Sequence, residues 1–278
     1  MTRYSALAFI LFASGCAQAA DKTVERTFTV SPGGTLIVDA DSASVEVSGG
    51  NANQVIVRMT ASGSDTDLAD IKLEAFQKGD EVNIVMRRSK QGWFGHSWSG
   101  DGRIRVTVPP QFTVSVQTGG GSVELAGTVG SAKLHTSGGD IAVKNVTGNV
   151  LARTSGGGIR ADTIRGDVDA DTSGGDVQLL HVDGKIRGST SGGNVECGLV
   201  GANRGIKANT SGGSIRLVLP RTTAASFDAS TSGGQFTSEI PISTTKNDNG
   251  NAKGSINGGG ELIDAHTSGG DITFVAAN

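Results

Sequence analysis

Both tryptophans of this chain fall in Gly92-Trp93-Phe94-Gly95-His96-Ser97-Trp98, and Arg87, Arg88 and Lys90 lead into them. Flat aromatic faces beside guanidinium and ammonium groups suit a membrane headgroup layer, a sugar ring or a protein partner. Arg87, Arg88, Trp93, Phe94, His96 and Trp98 are therefore the candidate binding residues. The competing reading is a hairpin tip that folds back over an exposed strand edge. A second set of polar groups recurs with the tetrapeptide Thr-Ser-Gly-Gly, which starts at Thr136, Thr154, Thr172, Thr190, Thr210, Thr231 and Thr267. Stacked hydroxyls would suit a flat ice- or glycan-binding array. The preferred reading is that each Thr hydroxyl satisfies backbone groups of a tight corner, a common use of Ser and Thr side chains.

Other chemistry is poorly supported. Asp140, Asp176 and Asp271 follow the paired glycines, but Gly158, Asn194, Ser214 and Gln235 take the equivalent place. A ladder interrupted in this way does not supply the multiple carboxylates that Ca²⁺ requires. His96, His135, His181 and His266 are scattered, without metal-ligand spacing. Glycoside hydrolysis needs two carboxylates facing one cleft, and no acidic pair stands out from the corner aspartates. Ser137 is one copy of a repeat, not an isolated nucleophile. Cys197 shares a column with Val143, Ala161 and Leu179 and reads as a small buried hydrophobe. No catalytic, metal or cofactor-binding residue is assigned, no cofactor is expected, and the chain reads as a non-enzyme.

What must position these groups is a stack. The Thr-Ser-Gly-Gly copies are separated by 18, 18, 18, 20, 21 and 36 residues, and a degenerate copy at Thr118 lies 18 residues before the first. Self-similarity at a short fixed period is the mark of a solenoid. Aliphatic residues recur after each Gly-Gly, as in Ile141, Val143, Val146 and in Val195, Cys197, Val200. A second set precedes each Thr, as in Val168 and Ala170. Each coil is thus two short alternating strands joined by two Gly corners, where Gly would supply positive φ. The fold expected is all-β, a parallel β-solenoid with a coil length of 18 residues. Two Gly corners per coil favour a flattened, right-handed form over a three-faced left-handed hexapeptide helix. The chain has 43 Gly against two Trp, one Tyr and nine Phe, so its core is thin.

Residues 1–20 read as a signal peptide: Arg3, an apolar run from Ala6 to Ala13, then Ala17-Gln18-Ala19-Ala20. The run is too short to cross a membrane, which takes about 20 residues. Ser14-Gly15-Cys16 keeps open a lipid anchor at Cys16, and both readings export the chain to the periplasm or cell surface. Residues 21–110 form a less regular β region with the aromatic loop 87–102, and 111–278 the regular repeats. Ser243 to Lys253 reads as an insertion between coils. A net charge of −3 leaves no basic stripe for nucleic acid.

With Pro32-Gly33-Gly34-Thr35-Leu36, Val106-Thr107-Val108-Pro109 and the Thr-Ser-Gly-Gly-x-Ile/Val repeats in view, the chain resembles the bacterial "putative adhesin" family of exported β-strand-repeat domains of undefined function. The resemblance implies an exported solenoid and carries no catalytic residues. It points to an adhesin or surface-binding protein of the envelope, whose partner is an envelope protein or surface glycan. The alternatives are a periplasmic scaffold or sensor accessory and, last, a polysaccharide-active β-helix enzyme.

Overall fold

The computed structural model describes residues 20–50, 53–89, 100–248 and 250–277. The leader as far as residue 19 and the stretch 90–99, which holds Trp93, Phe94, His96 and Trp98, lie outside the described residues.

Alternation along each short segment buries one side of a strand. In Val177–Asp183, for example, Val177, Leu179 and Val182 are buried while Gln178 and Leu180 stay partly exposed. Two such faces close on each other. A 12-stranded and a 13-stranded sheet, here the first and second sheets, enclose one aliphatic core cluster. Successive strands alternate between the sheets and pair in parallel with the coil before, Ile159 beside Val177 and Val150 beside Val168. The two-sided solenoid expected from the Gly corners is the one found.

Its two corners differ. Gly139, Gly157 and Gly175 are outside the left-handed region that favours glycine; what they need is room. A Cβ on Gly175 would sit 2.3 Å from the carbonyl oxygen of Gly157 and 2.5 Å from its carbon. Positive φ occurs instead at Gly148 and Gly166, which open strands of the second sheet (φ 144° and 148°), and at Asn145, Thr163 and His181 (54°, 60° and 51°). These last three kink the first-sheet strands so that Val146, Ile164 and Val182 drop back into the core. In the next coil the register shifts: Leu199, not Val200, lies beside Val182, and Val200 is 38% exposed. The kinked residue has been deleted there, which moves the inward place by one.

Stacking order departs from chain order at both ends. Thr35–Ala40 and Ser44–Gly49 form a coil wedged between Glu81–Arg88 with Gly102–Val108 on one side and Thr113–Thr118 with Val123–Ala126 on the other. Likewise Leu262–Thr267 and Ile272–Ala276 are wedged between Ile206–Asn209 with Ile215–Leu219 and Ala225–Thr231 with Phe236–Ser238. The 36-residue step from Thr231 to Thr267 is therefore not a skipped copy. The supposed insertion after Ser243 is an antiparallel hairpin, Ser243–Asp248 with Asn251–Ile256, laid on the outer edge of the second sheet.

Both ends of the core are closed. At one, the helix Asp65–Asp70, capped by Ser64, inserts Leu68, and Lys22 donates to the carbonyls of Leu68 (3.3 Å) and Ile71 (2.6 Å). A cation at helix C-terminal carbonyls satisfies groups that lack an intrahelical partner. At the other end the chain crosses from Phe236–Ser238 to the edge hairpin and buries Ile240. Phe227, Phe236 and Phe274 meet there with ring centroids 5.0–5.6 Å apart.

Two substitutions test this packing by denaturant titration. Gly175→Ala drives a Cβ into backbone that cannot move aside, and should cost about 1–3 kcal/mol or more; an unchanged midpoint would refute the close-approach account. Thr128 lies beside Val146 in the core, 2% exposed, with a hydroxyl lacking any partner. Thr128→Val should raise stability by about 1 kcal/mol.

Candidate functional site

Glu81–Arg88 of the second sheet is followed in the chain by Gly102–Val108 of the first, the same succession that other coils make through Thr-Ser-Gly-Gly. One corner is thus replaced by a longer segment, and its base is fixed by two arginines. The Arg87 guanidinium pairs with Asp39, whose hydrogen bond and charge raise the arginine pKa above its usual range. The Arg88 backbone N–H donates to Asp41 (2.8 Å) and its guanidinium to Asp67 on the end helix (3.0 Å). Ser89 N–H donates to the Asp70 carbonyl at 2.7 Å. Of the six candidate binding residues, these two are turned toward carboxylates of the protein, and the other four lie outside the described residues. Asp39, Asp41 and Asp67 had no local signal to mark them, because the fold brings them from distant segments.

The threonines of the repeat are buried, and each hydroxyl works inside the stack. Thr136, Thr154, Thr172 and Thr190 donate to the carbonyls of Gly121, Gly139, Gly157 and Gly175 in the preceding coil, at 2.8–2.9 Å. Several also accept from the glycine N–H three residues on, such as Gly193 to Thr190 at 3.3 Å. The hydroxyl array therefore serves the corners, and only the neighbouring serines face outward. Beside them runs a second ladder. Asp140 accepts from Gly158 N–H (2.8 Å), Asp176 from Asn194 (2.7 Å), Asn194 from Ser214 (2.9 Å) and Asp271 from Gln235 (2.9 Å). Short polar side chains in this column cap the next coil's amide, which explains why Asp and Asn interchange there.

The histidines separate. His135 and His266 share an outward column of the second sheet, and His266 pairs with Asp264, which also holds Lys207 at 3.1 Å. His181 sits on the kink of the first sheet, its Nδ1 2.8 Å from Asp162. Asp162 also accepts from the Thr163 hydroxyl at 3.0 Å. The His181 hydrogen bond is the main reason the Asp162 carboxyl lies below the usual carboxylate range; partial burial opposes it, while Thr163 and the charges of His181 and Arg160 add to it. Asp162 thereby ties together two residues held in left-handed backbone. Burial pushes the Cys197 thiol up to about 12, which leaves it inert. Among the described residues no group of three or more His, Cys, Asp or Glu is placed to hold a metal.

Residues 35–274 match the family model described as Toastrack DUF4097. Among solved structures, a Bacteroides fragilis protein described as a "putative adhesin" is 13% identical, with a TM-score of 0.52 over 92% of this chain and 97% of its own. A Parabacteroides distasonis protein described as a "putative lipid binding protein" is 16% identical, with a TM-score of 0.45 over 91% and 96%. A Clostridium sporogenes protein described as a "putative cell adhesion protein" is 12% identical, with a TM-score of 0.28 over 92% and 100%. No curated protein matches. The Bacteroides fragilis likeness is one of fold.

The Asp162–His181 pair gives a pH test. A carboxylate whose folded pKa is depressed contributes stability that is present above its unfolded pKa and lost as pH falls through the folded value. In His181→Ala the Asp162 carboxyl should move up toward the ordinary range in a carbon-detected NMR titration. The loss of stability below pH ~4 should become shallower. An Asp162 titration identical to that of the parent would show that the contact does not hold the carboxylate.

Proposed function

The chain belongs to the Toastrack DUF4097 family, and from that premise we propose that it is an exported, non-enzymatic envelope protein that binds a surface partner. The observation that supports this is the division of labour at the corners. Thr, Gly and Asp columns are spent on joining coils, and the corner between Glu81–Arg88 and Gly102–Val108 departs from that pattern in length and composition. That corner carries Trp93, Phe94, His96 and Trp98 on a base clamped by Arg87 and Arg88. A rigid base under exchangeable aromatic tips is how a scaffold presents a contact without distorting its core. The Bacteroides fragilis protein of the same fold is described in terms of adhesion, and adhesion is the role we propose here. Residues 1–20 are its signal peptide on this reading, with Cys16 as the site of any lipid anchor.

Two measurements test the proposal. Trp93→Ala with Trp98→Ala should reduce attachment of the purified protein to cell envelopes several-fold while leaving Tm unchanged. A fall of many degrees in Tm would instead identify the loop as a cap and remove it as the contact. Protease treatment of intact and of permeabilised cells should degrade the protein in both. Protection until the outer membrane is opened would exclude adhesion to external surfaces.

A further inference from the structure

A groove of about 630 Å³ runs along the stack on the outer face of the second sheet, from Thr113–Thr118 to Ile186–Ser189. Neighbouring strands lie about 4.8 Å apart, so it extends for about 19 Å, perpendicular to the strands. Lys133, Lys185 and Arg187 border it, and among the described residues none of the three makes an ion pair. Arg187 has Asp169 as its in-register neighbour without pairing to it. Farther along the same face the cations are neutralised, Lys207 by Asp264 (3.1 Å) and Lys253 by Asp228 (2.6 Å). Among the described residues, the cations at the groove thus stay free of ion pairs, as does Arg153 on the same face.

Their spacing restricts what can satisfy them. Lys133 and Arg187 are three strands apart, about 14 Å between backbones, so a single phosphate or carboxylate would meet both only with the two side chains bent toward each other along the stack. The occupant that fits without such bending is a chain with separate anionic groups. Asp169 stands between the two cations and repels a chain charged at every position, which argues against nucleic acid or polyphosphate. Leu151, half-buried at the middle, offers an apolar ridge for a ring face. Ser115, Ser131 and Asn149 offer hydroxyl and amide groups of the kind that bond sugar hydroxyls. The Asn149 carbonyl is already engaged by Asp167 N–H at 3.0 Å, which leaves its amide nitrogen to donate outward. The backbone beneath is paired on both sides within the sheet, so no peptide strand can be added to it.

We propose that this groove binds a carboxylated polysaccharide lying along the stack, with one carboxylate near Lys133 and another near Lys185 and Arg187. The proposal does not depend on the aromatic loop.

Calorimetric titration of the mature chain with hexagalacturonate at low salt tests this. Binding is expected, weakening as salt is raised because the contacts are exposed ion pairs. Lys133→Ala with Arg187→Ala should weaken it by about tenfold or more at unchanged Tm. Lys253→Ala, and the Trp93→Ala, Trp98→Ala chain, should bind like the parent, so a failure of the loop reading leaves this result intact. No heat at millimolar hexagalacturonate would overturn the proposal, as would full binding by the double variant or by the methyl-esterified oligomer. Equal binding of poly-glutamate of matched length would replace the polysaccharide with an acidic peptide and equally sink it.

Discussion

The distance at which one glycine corner approaches the next is the constraint on which this structure depends. Coils pair through their backbones, and at the corner a carbonyl of one coil occupies the space where a side chain of the next would begin. Only Gly fits. The carbonyl is then met by a threonine hydroxyl at 2.7–2.9 Å along the stack. Threonine suits the place on two counts: its methyl group belongs to the aliphatic core, and its hydroxyl supplies a donor to a buried acceptor. Serine would forfeit the methyl, and valine would leave a carbonyl without a partner, a substantial cost inside a protein. The sameness of Thr-Ser-Gly-Gly from coil to coil follows from sterics and hydrogen bonding. Outward columns are released from that constraint and vary.

Much of this was legible in the amino-acid order. The 18-residue step, the alternating aliphatics and the Gly corners led directly to a two-sided parallel solenoid. What periodicity could not reveal was adjacency that breaks it. Thr267 repeats the motif after Thr231 along the chain but precedes it in space. Val200 and Leu199 are equally apolar, and only the register shift against Val182 decides which enters the core. Arg87 and Arg88 look like free cations beside aromatics until the fold delivers Asp39, Asp41 and Asp67. Positive φ was the right reason for glycine at Gly148 and Gly166 and the wrong one at the Thr-Ser-Gly-Gly corner, since φ and close packing leave the same mark in a sequence.

A stack of parallel strands ends in unpaired edges, which invite association with other chains. Here each edge is blunted differently. The first sheet finishes at one end in Ala20–Thr29, where Lys22 turns toward the helix, and at the other in the three-residue strand Phe236–Ser238. The second finishes in Ile71–Lys78, with Lys72, Glu74 and Lys78, and in the polar strand Ser243–Asp248. With the edges closed, recognition is left to the faces and to the corners.

The wedged coils alter how such a molecule can be made and unmade. A repeat array stacked in chain order can grow or fray one layer at a time from either tip. This one cannot, because Leu262–Ala276 is an interior layer although it follows in the chain the coils on both sides of it. A ribosome that has delivered everything before it has supplied a wall with a missing course, and the coil of Ala225–Thr231 and Phe236–Ser238, though joined to its own hairpin, has no layer linking it to the rest of the stack. Completion waits for that coil, and afterwards it cannot leave without parting the layers on both sides of it. Slow, late closure and resistance to unravelling are two results of the same stitch.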